Sequence, residues 1–176
     1  MISAILCGDT MRDDKRYLKW CLRQERGIRL AAPSDNLAKA YLEKSRNALR
    51  SMEVNAQAGI EEWTVSASYY AKYFAVYALL SKVGVKSEIH DCTIALFGYL
   101  FSTMEYHHLV RELRQSKDDR VDVQYYSREF EVNLTDLMQQ TKQFVLQIEE
   151  LIDGLNSEEV VALQKKLKEL AHAGKR

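Results

Sequence analysis

The sequence has little proline and little glycine, with one Pro and seven Gly in 176 residues. Turns and strand ends usually need these two residues, so their scarcity favours helices joined by short loops. Long apolar runs are also missing, and no stretch is long enough to span a bilayer. Because 47% of the residues are hydrophobic, the chain can still form one domain with its own core.

An excess of either charge is absent as well, because 25 basic residues balance 25 acidic ones. Neutrality argues against a broad nucleic-acid-binding surface but leaves room for a small basic pocket. The cysteines, Cys7, Cys21 and Cys92, show no CxxC pairing and no metal-ligand spacing. We therefore expect buried or incidental thiols, with neither a disulfide framework nor a zinc site. The N-terminus lacks the order of a secretory signal, so a cytoplasmic location is the default expectation.

The clearest boundary in the N-terminal part lies at Pro33. After it, Ser34 or Asp35 can cap a helix over about residues 35–54 by accepting its free N–H groups. Before it lies a short amphipathic arm that ends near Gly27, a residue able to adopt the left-handed geometry of a helix stop. The pattern thus predicts a helical arm followed by the first core helix.

The middle of the chain predicts two further helices. One segment is apolar on almost every face and closes at Gly84, which is typical of the central helix of a bundle. Its tyrosines and phenylalanine fall at helical spacing, which favours core packing over a base-stacking platform. The next helix starts with Ser87 as its cap, and we expect a break near Ser102 and Thr103.

Two amphipathic helices are expected in the C-terminal third. The longer one, beyond Tyr126, keeps a regular stripe of apolar residues three and four apart. The last one is capped by Asn156 and Ser157, and its apolar residues repeat as in a short coiled-coil seam: Val160, Leu163, Leu167 and Leu170. This seam fits packing on the bundle or on a second copy of the chain, so we expect a homodimer.

Together these patterns predict an all-α protein. We expect an up-and-down bundle of four to five helices with a short N-terminal helical arm and an extra C-terminal helix. The predicted organisation is an arm at residues 1–33, the bundle at residues 34–154 and the amphipathic C-terminal helix at residues 155–176.

Local motifs for catalysis are missing. The four histidines are His90, His107, His108 and His172, and the adjacent pair points about 100° apart on a helix, which does not suit a shared metal. The sequence has no glycine-rich phosphate loop and no nucleophile elbow. We therefore assign no catalytic residue, no metal and no cofactor.

The stretch HHLVRELRQSKDDRVDVQYY, from His107 to Tyr126, brings together arginines, aspartates and tyrosines. Guanidinium groups beside tyrosine hydroxyls can hold a phosphate or a carboxylate in a bidentate manner. The simpler interpretation is an Arg–Asp network that ties two helices together. Both interpretations are compatible with the sequence.

Three segments resemble the HEPN domain family, and more narrowly its compact stand-alone branch of prokaryotic, often archaeal, proteins: AKAYLEKSRNAL, ASYYAKYFAVYALLSKVGVKSEIHDCTIALF and RELRQSKDDRVDVQYY. The likeness covers about residues 10–153. It implies a bundle of four or five helices that is commonly dimeric. Many members of the family are ribonuclease toxins, frequently paired with a small nucleotidyltransferase-like antitoxin, so the resemblance also implies such a role.

The nuclease-type members carry an arginine followed, after four to six residues, by a histidine. No histidine stands at that distance after Arg111, Arg114 or Arg120. The departure weakens the expectation of nuclease activity. The resemblance leaves five residues as a predicted ligand-binding groove: Arg114, Arg120, Asp122, Tyr125 and Tyr126. His90 matches the family's turn position, and we expect it to have a structural role at a helix start.

We therefore expect a binding module that holds a nucleotide, RNA or a nucleotidyltransferase-like partner through this groove. One alternative is a divergent, metal-independent ribonuclease of toxin–antitoxin type in which Tyr125 or Tyr126 replaces the histidine. The ordinary tyrosine pKa, near 10, makes that alternative harder. Another is a structural interaction protein that uses its C-terminal helix.

Overall fold

The computed structural model describes residues 15–101, 106–126 and 133–173. Within these ranges the elements follow one another along the chain as α1 (residues 15–23), β1 (Arg29–Leu30), α2 (Asp35–Gln57), α3 (Glu61–Val83), β2 (Val85–Lys86), α4 (His90–Phe101), α5 (His107–Tyr125), α6 (Leu134–Gly154) and α7 (Ser157–Ala173). The predicted all-α bundle is confirmed.

The helix α3 lies at the centre of the bundle, as its apolar sequence predicts. It packs against α2, α4, α5, α6 and α7, and its tyrosines Tyr69, Tyr73 and Tyr77 are buried. It ends at Gly84, whose φ of 88° is left-handed, and an added Cβ there would lie 2.6 Å from the Ala31 carbonyl oxygen. Both the backbone geometry and the close approach therefore require glycine at this position.

Side-chain caps fix several helix starts. The Leu37 N–H donates to the Ser34 hydroxyl at 3.2 Å, so Ser34 caps α2 as expected. Before α7, the Glu159 N–H donates to the side chain of Asn156, and the Asn156 N–H donates back to the Glu159 carboxylate, each at 3.0 Å. This reciprocal pair is a capping box.

The N-terminal arm differs from the prediction in two respects. The strand β1 pairs with β2 in an antiparallel manner, which the hydrophobic pattern did not indicate. Gly27 does not have a positive φ. Instead, a Cβ at Gly27 would lie only 1.9 Å from the Cys21 carbonyl oxygen. Glycine is needed there because the backbone passes close to the end of α1.

Two of the cysteines are bonded, so the expectation of unpaired thiols is wrong for them. Cys21 and Cys92 form a disulfide with their Cα atoms 5.7 Å apart. The bond ties α1 to the start of α4. The two cysteines are 71 residues apart, and no local spacing rule joins them. Cys7 lies outside the described residues.

One hydrophobic core includes both ends of the described chain. Leu18 and Ile28 from the N-terminal arm are buried in it, as are Leu167 and Leu170 from α7. The predicted seam of α7 thus packs on the chain's own bundle. The break expected near residues 102–103 lies outside the described residues. No helix in the ranges that the structure covers is long and apolar enough to cross a membrane.

Candidate functional site

The helix α5 has an inner and an outer side. Leu109, Leu113 and Ser116 are buried and follow one another four and three residues apart, as residues on one face of a helix do. Arg120 comes four residues after Ser116 and therefore continues this inner row. Arg114 is exposed and lies on the outer side.

The five residues of the predicted groove do not all share one side of α5. Arg120 faces the bundle and is partly buried, whereas Arg114 is exposed on the far side. Tyr125 and Tyr126, at the end of the helix, are 70% and 62% exposed, and Asp122 is half-buried. The binding role of these residues stays a prediction, but the geometry separates Arg114 from Arg120.

The guanidinium of Arg120 lies against two tyrosine rings of α3. Its central carbon is 5.2 Å from the centre of the Tyr70 ring and 5.8 Å from that of Tyr69. Ring faces attract a guanidinium and hold it in place without accepting its N–H groups as a carboxylate would. The Nε atom is buried and has no hydrogen-bond partner among the described residues. Among the described residues, the two rings thus help to position the cation.

His90, the first residue of α4, lies beside the same tyrosines. Its ring stacks on Tyr73, with ring centres 4.2 Å apart and planes 10° apart, and its Nδ1 shares a hydrogen bond of 2.5 Å with the Tyr69 hydroxyl. Burial lowers the pKa of His90, and the nearby positive charge of Arg120 lowers it further. The imidazole is therefore neutral at pH 7, fixed in orientation and close to Arg120.

The tyrosine hydroxyls around His90 resist ionisation. Burial raises the pKa of Tyr69 well above its ordinary value, and burial also raises the pKa of Tyr73 to about 12. Both groups therefore stay protonated at neutral pH, and neither is suited to take up a proton in catalysis.

A second cation, Lys117, lies beside His90. Lys117 forms an ion pair with Asp91, the residue that follows His90 in α4. Three helices thus contribute to one polar site. We call it the His90–Arg120 cluster, and its members are Tyr69, Tyr70, His90, Lys117 and Arg120.

An ion pair between a buried lysine and a partly exposed glutamate fixes α5 against α3. The Lys72 side chain is only 2% exposed, and its Nζ lies 2.9 Å from Glu112 Oε1 and 2.8 Å from the Ser116 hydroxyl. Glu112 Oε1 accepts no hydrogen bond from the described residues. Its distance from Lys72 Nζ is nevertheless that of a close ion pair. Ser116 precedes Arg120 by about one turn, so this contact also sets where Arg120 lies along the rings.

Sequence reasoning missed that His90 and Arg120 lie beside the same two tyrosines, Tyr69 and Tyr70. It looked for a histidine shortly after an arginine, whereas His90 precedes Arg120 by 30 residues and belongs to another helix. No local spacing rule reaches across that distance. In the described parts of the chain, no group of three or more His, Cys, Asp or Glu side chains could hold a metal ion.

The fold and this cluster describe a helical bundle with an Arg–His site at one end of α4. The family model of the HEPN domain matches residues 38–156. The match covers more than half of the chain, which therefore belongs to the HEPN domain family. It spans every member of the His90–Arg120 cluster and excludes α1. No curated protein and no solved structure matches the chain.

The lowered pKa of His90 has a consequence for stability against pH. In the unfolded chain His90 takes up a proton as the pH falls through about 6.5, but the folded protein resists that proton until a lower pH. The unfolded state then binds more protons, so the free energy of unfolding decreases as the pH falls below about 6.5.

We expect the His90→Gln variant to lose less of its stability than the parent between pH 7 and pH 5. Urea unfolding at each pH measures this difference. The comparison uses the change with pH rather than the absolute stability, because glutamine also alters the contact with Tyr69. Equal pH dependence in the two proteins would show that His90 titrates normally.

Proposed function

We propose that this protein is a HEPN binding module that holds a phosphate-bearing ligand, a nucleotide or RNA, at the His90–Arg120 cluster. The observation that carries the proposal is the Arg120 guanidinium held against Tyr69 and Tyr70 beside a neutral His90. A positioned guanidinium donates paired hydrogen bonds to phosphate oxygens. The tyrosine rings limit its motion, so less side-chain entropy is lost when a ligand binds.

The charges around the cluster support an anionic ligand. Lys117 adds a second cation, which forms ion pairs with Asp91 and, at 3.8 Å, with Asp118. Asp122, Tyr125 and Tyr126 lie further along α5 and remain candidates to contact a ligand that extends beyond one phosphate. Arg114 points away from the cluster, so the proposal no longer gives it a role in the same groove.

We expect Arg120→Ala to weaken binding of AMP or of a short RNA by at least tenfold. The reason is that a hydrogen bond to a charged group is worth about 1.5–3 kcal/mol, or roughly tenfold or more in affinity. Arg114→Ala is the matched control, since it removes the same side chain from the outer side of α5, and we expect a change below about twofold. Isothermal titration with AMP and fluorescence anisotropy with labelled RNA measure both. A larger loss in Arg114→Ala than in Arg120→Ala would overturn the proposal.

The proximity of His90 and Arg120 also favours a second candidate, a metal-independent ribonuclease. In such a reaction a histidine accepts the proton of the 2′-hydroxyl while the 2′-oxygen attacks the phosphorus, and an arginine stabilises the charged phosphorane. The P–O5′ bond then breaks, and the leaving 5′-oxygen takes up a proton from water. Nδ1 of His90 is engaged by Tyr69, so Nε2 would exchange the proton. This candidate uses His90 rather than Tyr125 or Tyr126.

Incubation of the purified protein with labelled RNA separates the two candidates. A binding module leaves the RNA intact while the anisotropy rises. Cleavage that disappears in both His90→Gln and Arg120→Ala, but persists in Arg114→Ala, would instead establish the ribonuclease.

We also propose that the protein forms a homodimer and acts in the cytoplasm, with a nucleotidyltransferase-like protein as a candidate partner. Dimers are common among HEPN domains, and α7 is not the expected contact because Leu167 and Leu170 are buried within the chain. Because intracellular proteins of hyperthermophiles keep disulfides, the Cys21–Cys92 bond is compatible with a cytoplasmic location in such an organism. Sedimentation at several protein concentrations tests the dimer.

A further inference from the structure

The helix α1 and the turn after it are strongly basic, although the whole chain is neutral. Residues 15–29 carry six basic residues and one acidic residue, and they lie outside the segment that matches the HEPN domain. Arg26 and Arg29 form ion pairs with Glu88. The other four basic residues of this segment lie in α1 itself.

Three of the four basic residues of α1 share one side of the helix with Trp20. This side of the helix begins with Arg16. The residues three, four and seven positions after it lie on the same side, and they are Lys19, Trp20 and Arg23. Leu18 and Cys21, on the other side, are fully buried in the core. The sequence of α1 therefore places an apolar face against the bundle and a basic face with an aromatic ring toward solvent.

Two aromatic rings are exposed on this helix. Tyr17 and Trp20 are 37% and 40% exposed, and their rings stack with centres 5.5 Å apart and planes 21° apart. Rings of this size are normally buried, and each ring in a stacked pair still offers an outer face. Such a face can receive a nucleobase without regard to its sequence.

The aromatic pair lies beside the His90–Arg120 cluster. The disulfide holds Cys21 of α1 against Cys92, two residues after His90. Burial raises the pKa of Tyr17, and the charge of Asp91 raises it further while that of Lys117 lowers it, so the Tyr17 hydroxyl lies within electrostatic reach of both charges. A strand whose phosphate is held at the cluster could therefore continue onto α1.

We propose that α1 is a binding surface for single-stranded nucleic acid. Tyr17 and Trp20 stack against bases, and Lys19 and Arg23 contact the phosphates that follow. This proposal rests on the proposed function, because it has α1 and the His90–Arg120 cluster contact the same strand. It extends that function from a single nucleotide to a strand of several nucleotides.

A membrane surface would be another anionic partner for a basic helix with a tryptophan. A helix that lies on a membrane inserts its apolar face among the lipids. The apolar face of α1 is already occupied, because Leu18 and Cys21 are buried and Cys21 is bonded to α4. The exposed face offers stacked rings and cations, which suits bases and phosphates better than acyl chains.

The chain has two tryptophans, Trp20 and Trp63, so one can be made a specific reporter. In the Trp63→Phe variant all tryptophan fluorescence comes from Trp20. We expect a ten-nucleotide adenylate RNA to quench it strongly and the same sequence in a duplex to quench it much less. The Trp20→Phe variant reports from Trp63 and serves as the control, with no change expected. A blue shift with phosphatidylglycerol vesicles, without quenching by the RNA, would overturn the proposal in favour of a membrane.

Affinity gives the second readout. We expect Trp20→Ala to weaken binding of the ten-nucleotide RNA about tenfold, since stacking contributes strongly per base, while AMP binding changes less than twofold. Circular dichroism confirms that the variant folds. Unchanged RNA affinity in Trp20→Ala together with weaker AMP binding in Arg120→Ala would reject the α1 surface and keep the proposed function. Quenching of Trp20 by RNA without any AMP binding would reject the proposed function and keep the α1 surface.

Discussion

Replacement of both Cys21 and Cys92 by serine is expected to lower the free energy of unfolding by about 4 kcal/mol. The disulfide closes a loop of 71 residues that contains α2 and α3, and a cross-link over such a loop restricts the unfolded chain strongly. Without it, α1 is held to the bundle by its buried side chains, such as Leu18, by the β1–β2 pair and by the ion pairs of Arg26 and Arg29 with Glu88.

Urea unfolding of the parent and of the double serine variant, each with and without a reductant, measures this effect. The reductant should destabilise the parent to the level of the variant and leave the variant unchanged. Cys7→Ser is a suitable control because it leaves the Cys21–Cys92 bond in place. Equal stability of the oxidised parent and the double variant would show that the bond does not stabilise the fold.

Glu112→Ala is expected to lower the free energy of unfolding by about 3 kcal/mol. The substitution leaves the Lys72 ammonium buried with Ser116 as its remaining polar neighbour. An unpaired buried charge is costly, whereas replacing the charge itself by an apolar group of similar size is often neutral. Lys72→Met should therefore cost much less than Glu112→Ala, and adding Lys72→Met to Glu112→Ala should recover most of the lost stability.

The exposed pair of Glu43 with Arg50 provides the control for this comparison. Both side chains are mostly in solvent, so Glu43→Ala should cost less than about 1 kcal/mol. Urea unfolding of all four variants at pH 7 provides the values. If Glu112→Ala were no more costly than Glu43→Ala, the Lys72 contact would not hold α5 against α3.

The fold was predictable where local patterns decide it. The apolar faces of α3 follow from its composition, and Ser34, Gly84 and Asn156 mark helix ends by chemistry that acts within a few residues. The β1–β2 pair and the Cys21–Cys92 bond were not predictable in this way. Each joins residues that are far apart in sequence, and only the packing of α1 on the bundle brings them together.

The site was predictable only in part. Arg120 was predicted from the Arg and Tyr content of its stretch, but Arg114 and Arg120 are six residues apart, which places them about 120° apart around a helix. That angle already separates them and is visible in the sequence. Lys72 could also have been noticed in the sequence, as a cation in the middle of a largely apolar helix. The sequence gives no signal that His90 and Arg120 lie near each other, because their proximity depends on how α4 and α5 pack.

The most direct test of the proposed site is an NMR titration with AMP that follows the imidazole signals of His90 and the Nε–H signals of the arginines. We expect the His90 and Arg120 signals to shift together with a common affinity, and the Arg114 signal to stay unchanged. Shifts at Arg114 with His90 and Arg120 unchanged would contradict the proposal that the His90–Arg120 cluster binds the ligand.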